Sequence, residues 1–122
     1  MGMYTEIYVN VNLKQDTPGE VISALIAMCT KDSKNTTLPY PRWAYLFNDG
    51  SFYTPKTECG KLTYNDISKQ WSLLGKGDIK NYDGEIEAFF KWLMPYIDAR
   101  IGEFIGYSRY EEEFSPTLYY KE

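Results

Sequence analysis

Apolar and polar positions alternate at the opening of the chain. In YTEIYVNVNL, residues 4–13, Ile7, Val9, Val11 and Leu13 share one side while Glu6, Tyr8, Asn10 and Asn12 share the other. A period of two predicts a strand with one face in the core. The period then lengthens. Thr17-Pro18-Gly19-Glu20 has the form of a capping box: Thr17 at the N-cap, Pro18 where its missing N–H costs nothing, and Glu20 three residues after the cap. A helix is expected from there to about Thr30, with Val21, Ile22, Leu25, Ile26, Met28 and Cys29 packing as a stripe against the Ile7–Leu13 face.

Residues 31–42, KDSKNTTLPYPR, are polar and then punctuated by proline, which marks a connection over the surface. Asn48-Asp49-Gly50 is a turn signal between Trp43–Phe47 and Ser51–Thr54, and these two runs are expected to form a hairpin. Lys61–Asn65 and Gln70–Ile79 are further strands. Gly75 and Gly77 within the second mark a bulge or a close approach of backbone. A second helix begins near Asp83 and carries Ile86, Phe89, Phe90, Leu93 and Ile97 at offsets of 0, 3, 4, 7 and 11, a continuous apolar stripe. Pro95 has no N–H to donate to the Lys91 carbonyl, so this helix should kink or end within a turn. Phe104–Tyr110 and Thr117–Tyr120 close the chain as two strands. The resulting order, β-α-β-β-β-β-α-β-β, predicts a single α+β domain over residues 1–122, a mainly antiparallel sheet with two helices packed on one face.

Composition narrows the chemistry. The 122 residues include 13 Lys and Arg against 17 Asp and Glu, a net charge of −4, which argues against a surface built for phosphate contacts, so no nucleic acid partner is expected. With no histidine in the chain, Ser–His–Asp and Cys–His triads and His-ligated zinc are excluded. Cys29 and Cys59 are read as free thiols of a reducing compartment, because the opening residues lack a basic stretch followed by an apolar run. No apolar run approaches the ~20 residues that cross a bilayer. The expected setting is therefore the cytoplasm, without a membrane association.

Three segments near the C-terminus carry a resemblance: I-K-N-Y-D-x-E-I at 79–86, W-L-M-P-Y-I at 92–97, and G-Y-S-R-Y-E-E-x-x-S-P-T-L-Y-Y from Gly106 to Tyr120. The chain resembles small accessory proteins of phages, prophages and bacterial mobile elements, in which K-N-Y-D, W-x-x-P-Y, R-Y-E-E and P-T-L follow in that order. The similarity extends weakly to the opening strand and helix start and leaves out residues 31–60. It implies a bacterial host cell as the site of action, and it brings no catalytic residue with it.

Candidate sites are few. Gly75-Lys76-Gly77-Asp78 lacks the long glycine turn and Lys-Ser/Thr ending of a phosphate loop and reads as part of a strand. Glu111, Glu112 and Glu113, with Glu103 or Asp98, form an acidic cluster whose simplest reading is a solvated turn, so no metal or other cofactor is expected. Tyrosine is different: it supplies 12 residues beside three tryptophans, and Tyr and Arg are the types enriched at interface hot spots. Tyr107, Arg109, Tyr110, Tyr119 and Tyr120 come together if the last two strands pair, and Arg42 with Trp43 forms a second candidate binding surface. The competing reading is that about half of the rings fill the core side of the sheet. The expected function is a non-enzymatic protein that inhibits or occupies a host protein, as an anti-defence or immunity-type partner would. The alternative is a protein that sequesters a small ligand or nucleotide signal between aromatic faces, with Arg109, Arg42 or a lysine on the phosphate.

Overall fold

The opening alternation becomes β1 (Thr5–Asn12), with Ile7, Val9 and Val11 buried and Glu6, Tyr8, Asn10 and Asn12 turned the other way. The computed structural model describes residues 4–30, 38–39, 43, 46–47, 60–79, 84–110, 112 and 114–122. Along these residues β1 is followed by α1 (Gly19–Thr30), β2 (Gly60–Asn65), β3 (Gln70–Ile79), α2 (Glu85–Leu93), β4 (Phe104–Tyr110) and β5 (Thr117–Tyr120). The five strands form one antiparallel sheet in the order β2-β3-β1-β4-β5.

This order interleaves two split β-α-β units. β3 lies between β1 and β2, which α1 connects, and β1 lies between β3 and β4, which α2 connects. That is the ferredoxin-like topology, extended at the β4 edge by β5. Central β1 therefore draws both neighbours from far along the chain, pairing Thr5 with Ile79 on one side and with Tyr110 on the other. Val21, Leu25 and Met28 of α1 join Ile86, Phe89, Phe90 and Leu93 of α2 and the inner residues of β1 in a single buried cluster. The fold is α+β with both helices on one face of the sheet, as the periodicities predict.

Helix α2 follows its expected stripe closely. Phe89 is enclosed among Trp43, Phe47 and Phe90, all edge-on to it at centroid distances of 5.6–5.8 Å. At Pro95 the helix tightens into a short 3-10 turn, Met94–Tyr96, and Ile97 leaves in extended conformation to bridge Leu13. The proline thus ends the helix within one turn of its own position.

Elsewhere the expectations need correction. Trp43, Leu46 and Phe47 do not lie in a strand, as a hairpin arm would: the Leu46 N–H donates to the Trp43 carbonyl at 3.1 Å, an i to i+3 turn contact. Trp43, Leu46 and Phe47, at positions i, i+3 and i+4, thereby all point into the core. The Asn48-Asp49-Gly50 turn and its second arm, and Cys59, lie outside the described residues. On α1, Ile26 is 44% exposed, and Ala24 and Ala27 are buried beside Val21, Leu25 and Met28. Small residues there let the helix approach its neighbours, and the stripe rotates accordingly. Thr17 does not cap as expected, since its hydroxyl donates back to the Lys14 carbonyl at 2.6 Å and the first helical carbonyl is that of Pro18. Gly75 marks a close approach: a Cβ there would lie 2.5 Å from Phe47 Cε1, so the Phe47 ring rests directly on strand backbone.

Candidate functional site

Among the described residues, no element covers the sheet face that points away from the helices. Strand alternation assigns its side chains. Glu6 stands between Asp78 of β3 and Arg109 of β4; one step on, Tyr8 stands between Lys76 and Tyr107, and Leu118 of β5 continues that row. Phe104 and Tyr120 follow, paired across β4 and β5.

The centre of this face is a pair of rings. Tyr8 and Tyr107 stack with centroids 5.5 Å apart and planes 23° from parallel, inside the range of a favourable offset stack. Polar contacts fix both: Tyr107 donates its hydroxyl to Glu6 Oε1 at 3.3 Å, and the Asn10 amide donates to the Tyr8 hydroxyl at 3.2 Å. Arg109 Nη2 lies 3.6 Å from Glu6 Oε2, so the Glu6 carboxylate is held between a phenol and a guanidinium. Partial burial, followed by the charge and hydrogen bond of Glu6, raises the Tyr107 pKa above the usual phenol value. Tyr107 is accordingly a hydrogen-bond donor over the physiological range. Beside this braced centre Phe104, Leu118 and Tyr120 are each 45–47% exposed, and the Phe104 and Tyr120 rings meet edge-on at 6.2 Å. Rings with polar tips, an arginine and exposed apolar neighbours are the residue types enriched where proteins recognise partners.

The candidate residues divide between the two faces. Tyr107 and Arg109 belong to the open face. Tyr110 follows Arg109 on β4 and is directed to the helix side, partly buried. Tyr119 also faces the helices: its ring stacks on Phe90 at 4.0 Å and 11°, and its hydroxyl pairs with Ser108 at 3.3 Å. It closes the core at the β5 end, with a pKa raised mainly by burial. Trp43, expected at a binding surface, is instead fully enclosed, edge-on to Phe89 and Trp92 at 5.6 and 5.2 Å, and so is a core residue. Arg42 lies outside the described residues. Tyr8, Phe104 and Leu118 are site residues that the sequence reading did not single out. The signal available for Tyr8 was a large aromatic on the polar side of an otherwise regular alternation.

Among the described residues no three His, Cys, Asp or Glu side chains converge as metal ligands would. Asp98 and Glu103 share a recess of about 130 Å³ with Asn10, Asn12 and Phe104, and the Gln70 amide occupies Asp98 Oδ2 as its donor. Gly75–Asp78 lies inside β3 in unbroken ladder register against Val9, Tyr8, Ile7 and Glu6 of β1, so its backbone does not curl around an anion. No described helix is long and apolar enough to cross a membrane. No family model, no curated protein and no solved structure matches the chain.

Proposed function

We propose that this chain is a non-enzymatic binding protein, of the accessory kind that bacterial mobile elements carry, which inhibits or occupies a host protein through the open face of its sheet. The observation that supports this reading is the stacked Tyr8–Tyr107 pair, locked by Glu6, Asn10 and Arg109 and flanked by Phe104, Leu118 and Tyr120. Two rings already fixed in one orientation lose little entropy on binding, which is where preorganised surfaces gain affinity. A recess of about 780 Å³ lined by Lys14, Gln15, Ile67 and Asp98, within the range of about 300–1,000 Å³ usual for ligand pockets, does not include the Tyr8–Tyr107 pair.

The test compares capture of a bacterial partner by the wild type, by Tyr107→Ala, Arg109→Ala and Tyr120→Ala, and by Ser23→Ala on the exposed side of α1. Circular dichroism and melting first establish that each variant is folded. At least one open-face variant should lose about 2 kcal/mol or more of binding, roughly 30-fold, while Ser23→Ala binds as wild type. Full retention by all three open-face variants would refute the reading. Release of a stoichiometric small molecule from the denatured protein would replace it with ligand sequestration.

A further inference from the structure

We propose that the outer edge of β5 pairs with β5 of a second copy of this chain, joining two sheets into one about a two-fold axis. This goes beyond the host-protein reading and concerns the backbone edge of β5, whose Leu118 and Tyr120 side chains also stand at the border of the open face.

The direction of the β5 backbone comes from its end. The Lys121 N–H donates to the Glu103 carbonyl at 2.9 Å, and the Lys121 carbonyl accepts from the Gly102 N–H at 2.7 Å, so Lys121 turns both backbone groups toward the β4 side. Backbone direction alternates along a strand. Tyr119, opposite Gly106, therefore also faces β4, and Leu118 and Tyr120 turn their N–H and C=O groups outward. Among the described residues no strand lies beyond β5.

Natural edges of this kind are normally blunted by charge, by proline within the strand or by a bulge. β5 is short, four residues, and the irregularity of its ladder lies on β4 between Phe104 and Gly106. β5 itself carries no charge and no proline between Thr117 and Tyr120, and its two outward-turned residues are also its exposed apolar ones, Leu118 at 45% and Tyr120 at 47%. At the opposite edge β2 carries Lys61.

The sequence of β5 is complementary to itself in one antiparallel register. An axis through Tyr119 sets Leu118 against Tyr120 of the second copy, and Tyr120 against its Leu118. Those are the residues whose backbone groups face outward in both copies, so every hydrogen-bonding group offered by one edge meets one offered by the other. On the open face the same register makes two Leu–Tyr cross-strand pairs, continuous with Phe104 and Tyr107 of each copy. Charge agrees with it. The Lys121 end of one strand lies against the Thr117 end of the other, the side on which the turn bearing Glu112 stands, and no like charges are opposed within the paired segment.

The experiment is sedimentation velocity over a concentration series, with amide hydrogen exchange measured at the two ends of the series. The wild type should move from monomer to twice the monomer mass, and the Leu118 and Tyr120 amides should become protected as it does. Leu118→Lys places a charge on the paired edge and should weaken association about tenfold or more. Leu118→Pro removes an outward N–H that β4 does not use and should do the same. Tyr64→Lys, on β2, should associate as wild type. A chain that stays monomeric throughout, an association unchanged in both Leu118 variants, or protection that appears on β2 and not on β5 would each overturn the proposal.

Discussion

Replacing Phe89 by alanine removes the ring at the centre of the aromatic cluster. The side chain has no exposed surface and touches Trp43, Phe47, Phe90 and Trp92 at centroid distances between 5.6 and 6.1 Å. A buried phenylalanine truncated to alanine costs about 3–5 kcal/mol through lost burial and the cavity left behind. The upper part of that range applies, because the neighbouring rings are locked by each other: Phe47 rests on the Gly75 backbone and Trp43 on Trp92, so neither can swing in to fill the space. A chain of 122 residues has a total stability of about 6–18 kcal/mol, so the loss takes a quarter or more of it. With a urea slope of about 2 kcal/mol/M, the unfolding midpoint should fall by roughly 1.5–2.5 M. Near-ultraviolet circular dichroism should weaken as well, because Phe89 holds Trp43 edge-on. Ile26→Ala is the contrasting change: Ile26 belongs to the apolar stripe on paper but is 44% exposed, and its loss should cost about 1 kcal/mol or less. A Phe89→Ala midpoint within the equivalent of about 0.5 kcal/mol of wild type, or an Ile26→Ala loss as large as the phenylalanine one, would refute this account of the core.

Other consequences can be checked with small amounts of protein. Burial pushes the Cys29 thiol up to about 11 from an ordinary value near 9, so the folded chain keeps a proton that the unfolded chain releases. Stability attributable to this group is complete below pH 9 and declines as pH rises from 9 toward 11, and alkylation at pH 9 should run slower in buffer than in urea; equal rates would contradict it. Thiol titration in denaturant without reductant should count both Cys29 and Cys59, and a count of zero would show a disulfide. Gly106→Ala drives a Cβ into the Tyr8 carbonyl oxygen and to 2.9 Å from Phe90 Cζ, and should lower the melting temperature by about 5–15 °C. Gly19→Ala, with open space around its Cβ position, should melt at or slightly above wild type, and equal melting of the two variants would disprove the contact.

Local periodicity made the regular elements legible, and the limits of locality explain the errors. The α2 stripe and the β1 alternation survive unchanged because each places its whole apolar set on one side of an element that has one buried side. Trp43, Leu46 and Phe47 carried the helical spacing too, but a five-residue span holds little more than one turn, too few positions to separate the two periods, and the Asn48-Asp49-Gly50 signal beside aromatic residues favoured a hairpin. Ile26 was misplaced because the side of α1 that packs is chosen by the space that Ala24 and Ala27 leave, which depends on the neighbour and not on hydrophobicity. The candidate site was half legible for the same reason. Tyr107 and Arg109 share a short segment, whereas their companions Tyr8 and Glu6 reach them only through the β1–β4 ladder, roughly a hundred residues of chain away.

That ladder also sets a schedule. During synthesis the first strand leaves the ribosome long before either strand that will flank it, since its partners begin at Gln70 and Phe104. At about 5–20 residues per second, the hundred residues between β1 and β4 represent roughly 5–20 s of elongation. Until Gln70–Ile79 has been made, the strand carrying Ile7, Val9 and Val11 has neither of its neighbours, and until Phe104 it has one. A nascent chain interrupted before Phe104 holds a central strand with one vacant side, so premature termination or a stalled ribosome late in the message would yield a sticky fragment and not a smaller working protein. Synthesis of Phe104–Tyr110 is thus the step at which the central strand gains its second neighbour and the sheet its β4 side.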